Sequence, residues 1–155
     1  MDILMDFLHN YVFWSAVLGW FSAQIIKTVI DLIYKKKMSF KTILFSSGGM
    51  PSSHSSTVVG LCVACAIQEG MGSAAFAITA VLAIVVMIDA SGVRYETGEQ
   101  AKILNKITKE LFSGNPELMN TGLKELVGHT PFQVAMGAIL GVAVAVVMAF
   151  VMGAF

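Results

Sequence analysis

A small set of side chains in this 155-residue sequence has the chemistry to handle an anion, and it is scattered over distant segments. The run Gly48-Gly49-Met50-Pro51-Ser52-Ser53-His54-Ser55-Ser56 is a glycine-rich turn opening a helix with small hydroxyl residues. The first N–H groups of a helix lack intrahelical acceptors and the helix dipole favours negative charge there, so the run suits phosphate. His54 at its end can give a proton to a leaving oxygen; in the plainer reading Ser52 or Ser53 caps the helix and His54 faces water. Arg94 offers a planar, multidentate cation matched to phosphate oxygens, or serves only as the basic residue of a helix end. Lys27 stands four residues before Asp31, which would neutralise it, and one turn after Gln24 on the same face. His129-Thr130-Pro131-Phe132-Gln133 puts an imidazole just ahead of a helix capped by Thr130 and begun by Pro131, with the Gln133 amide in reach.

The elements that must position these groups are membrane helices. The chain is 56% hydrophobic and 13% charged, against about 25% charged residues in an ordinary soluble domain, and its mean hydropathy is +0.76. We expect an all-α integral membrane helical bundle, one domain over residues 1–155, with about four transmembrane helices near 11–34, 54–68, 73–93 and 131–155. The second of these is short and is expected to begin inside the protein or in a thinned membrane. Within the polar segment 94–130, Ile103, Leu104, Ile107 and Leu111 recur at helical spacing beside Glu99, Lys102, Lys106, Lys109 and Glu110. That pattern predicts an interfacial amphipathic helix ended at Gly114-Asn115-Pro116, and a second short one over 118–127.

Basic residues decide orientation. Lys35, Lys36, Lys37 and Lys41 follow the first span, and Arg94, Lys102, Lys106, Lys109 and Lys124 follow the third, whereas the other side carries no Lys or Arg. The positive-inside rule then puts both long loops in the cytoplasm and both termini outside. On this map the His54 turn, the Asp89–Arg94 helix end and the His129 helix start meet at the cytoplasmic face, with Lys27 near enough to snorkel toward it. Asp89 lies at the membrane boundary, where carboxylates are commonly functional or paired. The acidic start Met1-Asp2-Ile3-Leu4-Met5-Asp6 does not resemble a secretory signal, and Cys62-x-x-Cys65 in an apolar run is read as packing. With Lys plus Arg equal to Asp plus Glu at 10 each, no nucleic acid partner is expected.

These residues resemble a known family, the divergent bacterial and plastid branch of the type 2 phosphatidic acid phosphatase and vanadium haloperoxidase superfamily. The likeness covers nearly the whole chain. It rests on Gln24-x-x-Lys27, Ser47-Gly48-Gly49-Met50-Pro51-Ser52-Ser53-His54-Ser55, Asp89-Ala90-Ser91-Gly92-Val93-Arg94, Gly98-x-Gln100-Ala101-x-x-Leu104-Asn105 and Gly128-His129-Thr130-Pro131. The resemblance implies a metal-independent membrane phosphatase, without cofactor, that hydrolyses a phosphatidate-type or polyprenyl phosphate or diphosphate through a phosphohistidine. It implies His129 as nucleophile, His54 as general acid, Ser52, Ser53 and Gly49 as phosphate cradle, and Lys27 and Arg94 as cationic clamp. Three departures stand out. Ser53 replaces a glycine, an amphipathic segment separates Arg94 from His129, and Gln133 occupies the place of the aspartate that orients the nucleophile. Gln133, or else Asp89 or Glu125, is expected to take that orienting role. A catalytically weakened lipid-phosphate binding or scaffold protein is the alternative, and a small oligomeric transporter ranks below both. Gly137-x-x-x-Gly141 with Ala145 serves packing within one chain or in a homodimer.

Overall fold

The computed structural model of the chain describes residues 3–35, 49–111, 122, 123, 125 and 128–154. Among the described residues six helices follow one another: α1 (Ile3–Leu8), α2 (Tyr11–Lys35), α3 (Ser53–Glu69), α4 (Ala74–Ser91), α5 (Val93–Leu111) and α6 (Pro131–Met152). Among the described residues there is no strand. The lysines at 36, 37 and 41, the Gly114-Asn115-Pro116 stop and most of the short helix expected over 118–127 lie outside the described residues.

Among the described residues three stretches are long and apolar enough to cross a membrane: Tyr11–Tyr34, Ala74–Leu111 through its α4 portion, and Pro131–Met152. Helix α3 is different. Its 17 residues reach only about 25 Å, and it sits at the centre, packed against α2, α4 and α6. The protein is an all-α membrane bundle in which this shorter helix is sheathed by the others.

Small residues set the spacing around α3. A Cβ at Gly19 would approach the Ser56 carbonyl oxygen to 2.8 Å, and one at Gly60 would come within 3.2 Å of the Ser15 carbonyl. Rising numbers on α2 thus meet falling numbers on α3, and the two run antiparallel. On the other side a Cβ at Gly137 would fall on the Ser52 carbonyl, and one at Gly141 would lie 2.6 Å from that of Ser56. Here the numbers rise together, so α3 and α6 run parallel, as helices separated by one complete crossing must. Gly137, Gly141, Ala145 and Ala149 are all buried, so the small-residue stripe is used within the chain. At the far end Tyr11 packs with Ala64, Ala145 and Ala149 and donates its hydroxyl to the Ala145 carbonyl at 3.0 Å. Large apolar side chains point outward instead: Ile78, Val81, Ile84, Val85 and Ile88 of α4 are all exposed. Lipid is as apolar as these side chains, so close contact between small residues, rather than expulsion of water, holds such helices together.

The amphipathic helix α5 follows α4 directly after Gly92. Its apolar residues Ile103, Leu104, Ile107 and Leu111 are exposed, while Gly98 and Ala101 on the opposite face are buried. Asn105, on the same face as those two, exchanges hydrogen bonds with the Leu123 backbone: Nδ2 donates to its carbonyl at 2.9 Å and Oδ1 accepts its N–H at 2.8 Å. Leu123 is pinned to α5 there. Gly128 meets α5 again at its start, where an added Cβ would collide with the backbone of Arg94 and Tyr95.

Candidate phosphate site

Helix α3 begins the site. Ser52 caps it, its hydroxyl accepting the Ser55 N–H at 3.3 Å and the Ser55 hydroxyl at 3.0 Å. The Ser52 N–H donates to the Gln133 carbonyl at 3.1 Å, which joins the starts of α3 and α6. Ser52, Ser53, Ser55 and Ser56 are all buried, so α3 does begin inside the protein. Gly49, just upstream, has a φ of +93°, a left-handed conformation that costs glycine least. Lys27 does not snorkel outward. It is 5% exposed, and its Nζ turns inward to donate to the Ser53 hydroxyl at 3.3 Å, with Asp31 within electrostatic reach.

His129 arrives by the loop ahead of α6. Its N–H donates to the Ala90 carbonyl at 3.0 Å, fastening that loop to the end of α4, and the side chain is buried with it. Thr130 caps α6 in a capping box: its hydroxyl accepts the Gln133 N–H, and Gln133 Oε1 accepts the Thr130 N–H at 3.1 Å. A backbone N–H can only be met by the oxygen of the amide, which fixes which way the Gln133 amide faces. The same Oε1 lies 3.3 Å from His129 Nδ1. Nδ1 therefore carries the ring proton, and Nε2 is left as the basic nitrogen.

Burial pushes the His129 pKa below its ordinary 6.5, and the Lys27 charge pushes it the same way. The hydrogen bonds that the ring makes to Gln133 and to the Gly49 backbone work against them and favour the charged ring. The net result is a neutral imidazole in neutral solution.

His54, on the first turn of α3, is exposed, and its ring centroid lies 6.3 Å from that of His129. Arg94 Nε donates to Asp89 Oδ2. Both side chains remain about half exposed, and with His54 they line one open cleft of about 230 Å³ whose other walls are Val85, Val86 and Ala90. Neither of the alternative orienting carboxylates meets His129: Asp89 holds Arg94, and Glu125 accepts from Asn105 Nδ2 at 2.7 Å. Gln133 is the side chain on the imidazole.

Lys27, Gly49, Ser52, Ser53, His54, Asp89, Arg94, His129 and Gln133 thus gather at one end of the bundle, opposite Tyr11 and Ala149. Sequence reasoning missed the parts that hold them there. Gly128 against Arg94 and Tyr95, Asn105 on the return segment and the Ala90 carbonyl under His129 place the loop that carries the imidazole. The signal was present in Gly98, Ala101 and Asn105, whose common helix face has no long apolar residue.

The sequence profile of a family described as the divergent PAP2 family matches residues 8–144. The chain is 35% identical over 156 residues to the uncharacterized membrane protein YuiD of Bacillus subtilis (strain 168), across 94% of this chain and 98% of that protein. No solved structure matches the chain.

Proposed function

As this chain belongs to the divergent PAP2 family of membrane proteins, we propose that it is a metal-independent phosphatase of lipid phosphates or diphosphates, working through a phosphohistidine. The observation that carries this reading is the pair of imidazoles 6.3 Å apart, one buried beside Lys27 and the serine turn, the other open beside Arg94. In the first step the Nε2 lone pair of His129 attacks phosphorus. The bond from phosphorus to the ester oxygen breaks, and His54 gives its ring proton to that oxygen, releasing the lipid alcohol. In the second step water attacks the phosphohistidine, one of its protons returns to His54, and the bond from phosphorus to nitrogen breaks to release inorganic phosphate. With a diphosphate substrate the terminal phosphoryl group is transferred and the lipid monophosphate leaves.

Catalysis of this kind is nucleophilic, with charge on the transferring group stabilised by fixed donors. Lys27, the Ser52 and Ser53 turn and the Gly49 backbone supply those donors on one side, and Arg94 supplies them on the other. The site belongs at the cytoplasmic face of a bacterial inner membrane, with both termini outside, because the end of α2 and the basic helix α5, with Lys102, Lys106 and Lys109, fall at the site's end of the bundle.

Purified protein in detergent should release inorganic phosphate from phosphatidate or polyprenyl phosphates, with or without EDTA. His129→Ala should lower that release by roughly a thousandfold or more. Undiminished release by the variant would remove the nucleophile and the mechanism with it. A second reading is a lipid-phosphate binding protein without turnover. It is favoured by the neutral Gln133, which accepts the imidazole N–H but brings no charge to stabilise an imidazolium. Binding of a phosphate analogue with no release from any lipid tested would select it.

A further inference from the structure

The phosphate cluster is sealed on one side and open on the other. Lys27, Ser52, Ser53 and His129 are at most 5% exposed, so they are closed within the bundle. His54 is exposed, and Arg94 and Asp89 are 50% and 40% exposed. Approach is therefore from α4. The cleft there has two chemical halves: His54, Asp89 and Arg94 at its polar end, and Val85, Val86 and Ala90 as its apolar wall. At about 230 Å³ it is smaller than the roughly 300–1,000 Å³ of pockets that enclose a whole organic ligand. It has room for a phosphate and the first carbons attached to it.

Beyond Val85 the same apolar surface continues through Leu82, Val81 and Ile78, all exposed. The distance from Val85 to Ile78 is about 10 Å along a membrane-crossing helix. We propose that the substrate's apolar chain leaves the site over Val85 and Val86 and lies along the outer face of α4, so that the phosphate ester is taken sideways from the bilayer. This rests on the phosphatase reading for the position of the phosphate, and it gives the hydrocarbon chain of that reading's substrate a definite path. Sugar phosphates and nucleotides are excluded from this position, because their hydroxyls and ring nitrogens would face Val85 and Val86 without hydrogen-bond partners.

The test reads binding separately from turnover. Titration of the protein in detergent with methylphosphonate and with a long-chain alkylphosphonate should give at least a tenfold preference for the long chain. Val86→Trp fills the cleft wall and should bring that ratio to about one, whereas Val147→Trp on the exposed face of α6 should keep it. The ratio is taken within each variant, so a general loss of affinity cancels. Should Val86→Trp fail to fold, Val85→Trp, at an exposed position, provides the same comparison. A ratio unchanged in the α4 variant, or no preference in the unaltered protein, overturns the proposal. Chain-selective binding without phosphate release on any substrate would refute hydrolysis and keep the groove. Phosphate release indifferent to chain length would keep hydrolysis and overturn the groove.

Discussion

Gln133 Oε1 accepts from the Thr130 N–H and faces His129 Nδ1, so one atom both caps a helix and selects a tautomer. Gln133→Glu keeps that geometry, since Glu is equally at home at the third position of a capping box. It adds a charge that stabilises both the imidazolium and the helix start. We expect it to raise kcat roughly tenfold and to move the acid limb of kcat/KM to higher pH. The sign follows from the depressed His129 pKa. The nucleophile must be neutral, so in the unaltered protein the acid limb lies below pH 6.5, and a new carboxylate opposes that depression. A profile that does not move in the variant would separate Gln133 from the reacting imidazole. The same depression bears on stability: below pH 6.5 the unfolded chain takes up this proton more readily than the folded one, so stability falls as pH drops through the folded pKa.

At the scale of elements, the position of His129 depends on how the return segment lies on α5. Gly128→Ala would press a methyl into the backbone of Arg94 and Tyr95 and lift the loop away. Displacement of a reacting group by about 1 Å costs on the order of a hundredfold. We expect phosphate release to fall by at least that much while helix content by circular dichroism stays unchanged. Gly141→Val acts elsewhere, since its side chain would separate α6 from Ser56 and Gly60 of α3. It should lower the stability of the whole bundle by about 1–3 kcal/mol, read as an earlier thermal midpoint in detergent. Helix starts were the most legible elements, because Thr130-Pro131 and Ser52 carry their capping chemistry in their own side chains. The partner faces were not legible. The small polar face of α5 signals that something covers it, but nothing local says that Asn105 holds Leu123 and Glu125 of the return segment.

For the molecule as a whole, the antiparallel α2 and α3 and the parallel α3 and α6 put the site at one end and the Glu69 turn at the other. If the site end faces the cytoplasm, a cysteine at the exposed Met71 should react with an impermeant maleimide in intact cells, and one at Lys109 should react only after lysis. Both would be placed in a Cys62→Ala, Cys65→Ala background. The opposite labelling pattern would invert the orientation. A homodimer would need a surface other than the Gly137 and Gly141 stripe, which faces α3 of its own chain.

Composition and periodicity alone determined that this is a helical membrane protein, because a chain so poor in charge has only intrahelical hydrogen bonds with which to satisfy its backbone in lipid. Motif spacing alone named His54, Arg94, Lys27 and His129, because histidines and cations at glycine-rich helix ends are chemically conspicuous wherever they stand. Only the tertiary structure decided that Lys27 turns inward to Ser53, that the His54 and His129 rings come within 6.3 Å of each other, and that the Ala90 carbonyl fastens the His129 loop. Each of those outcomes depends on which helix faces meet and at what separation. Glycine and serine contacts among α2, α3 and α6 set that separation, through packing between residues far apart in the chain.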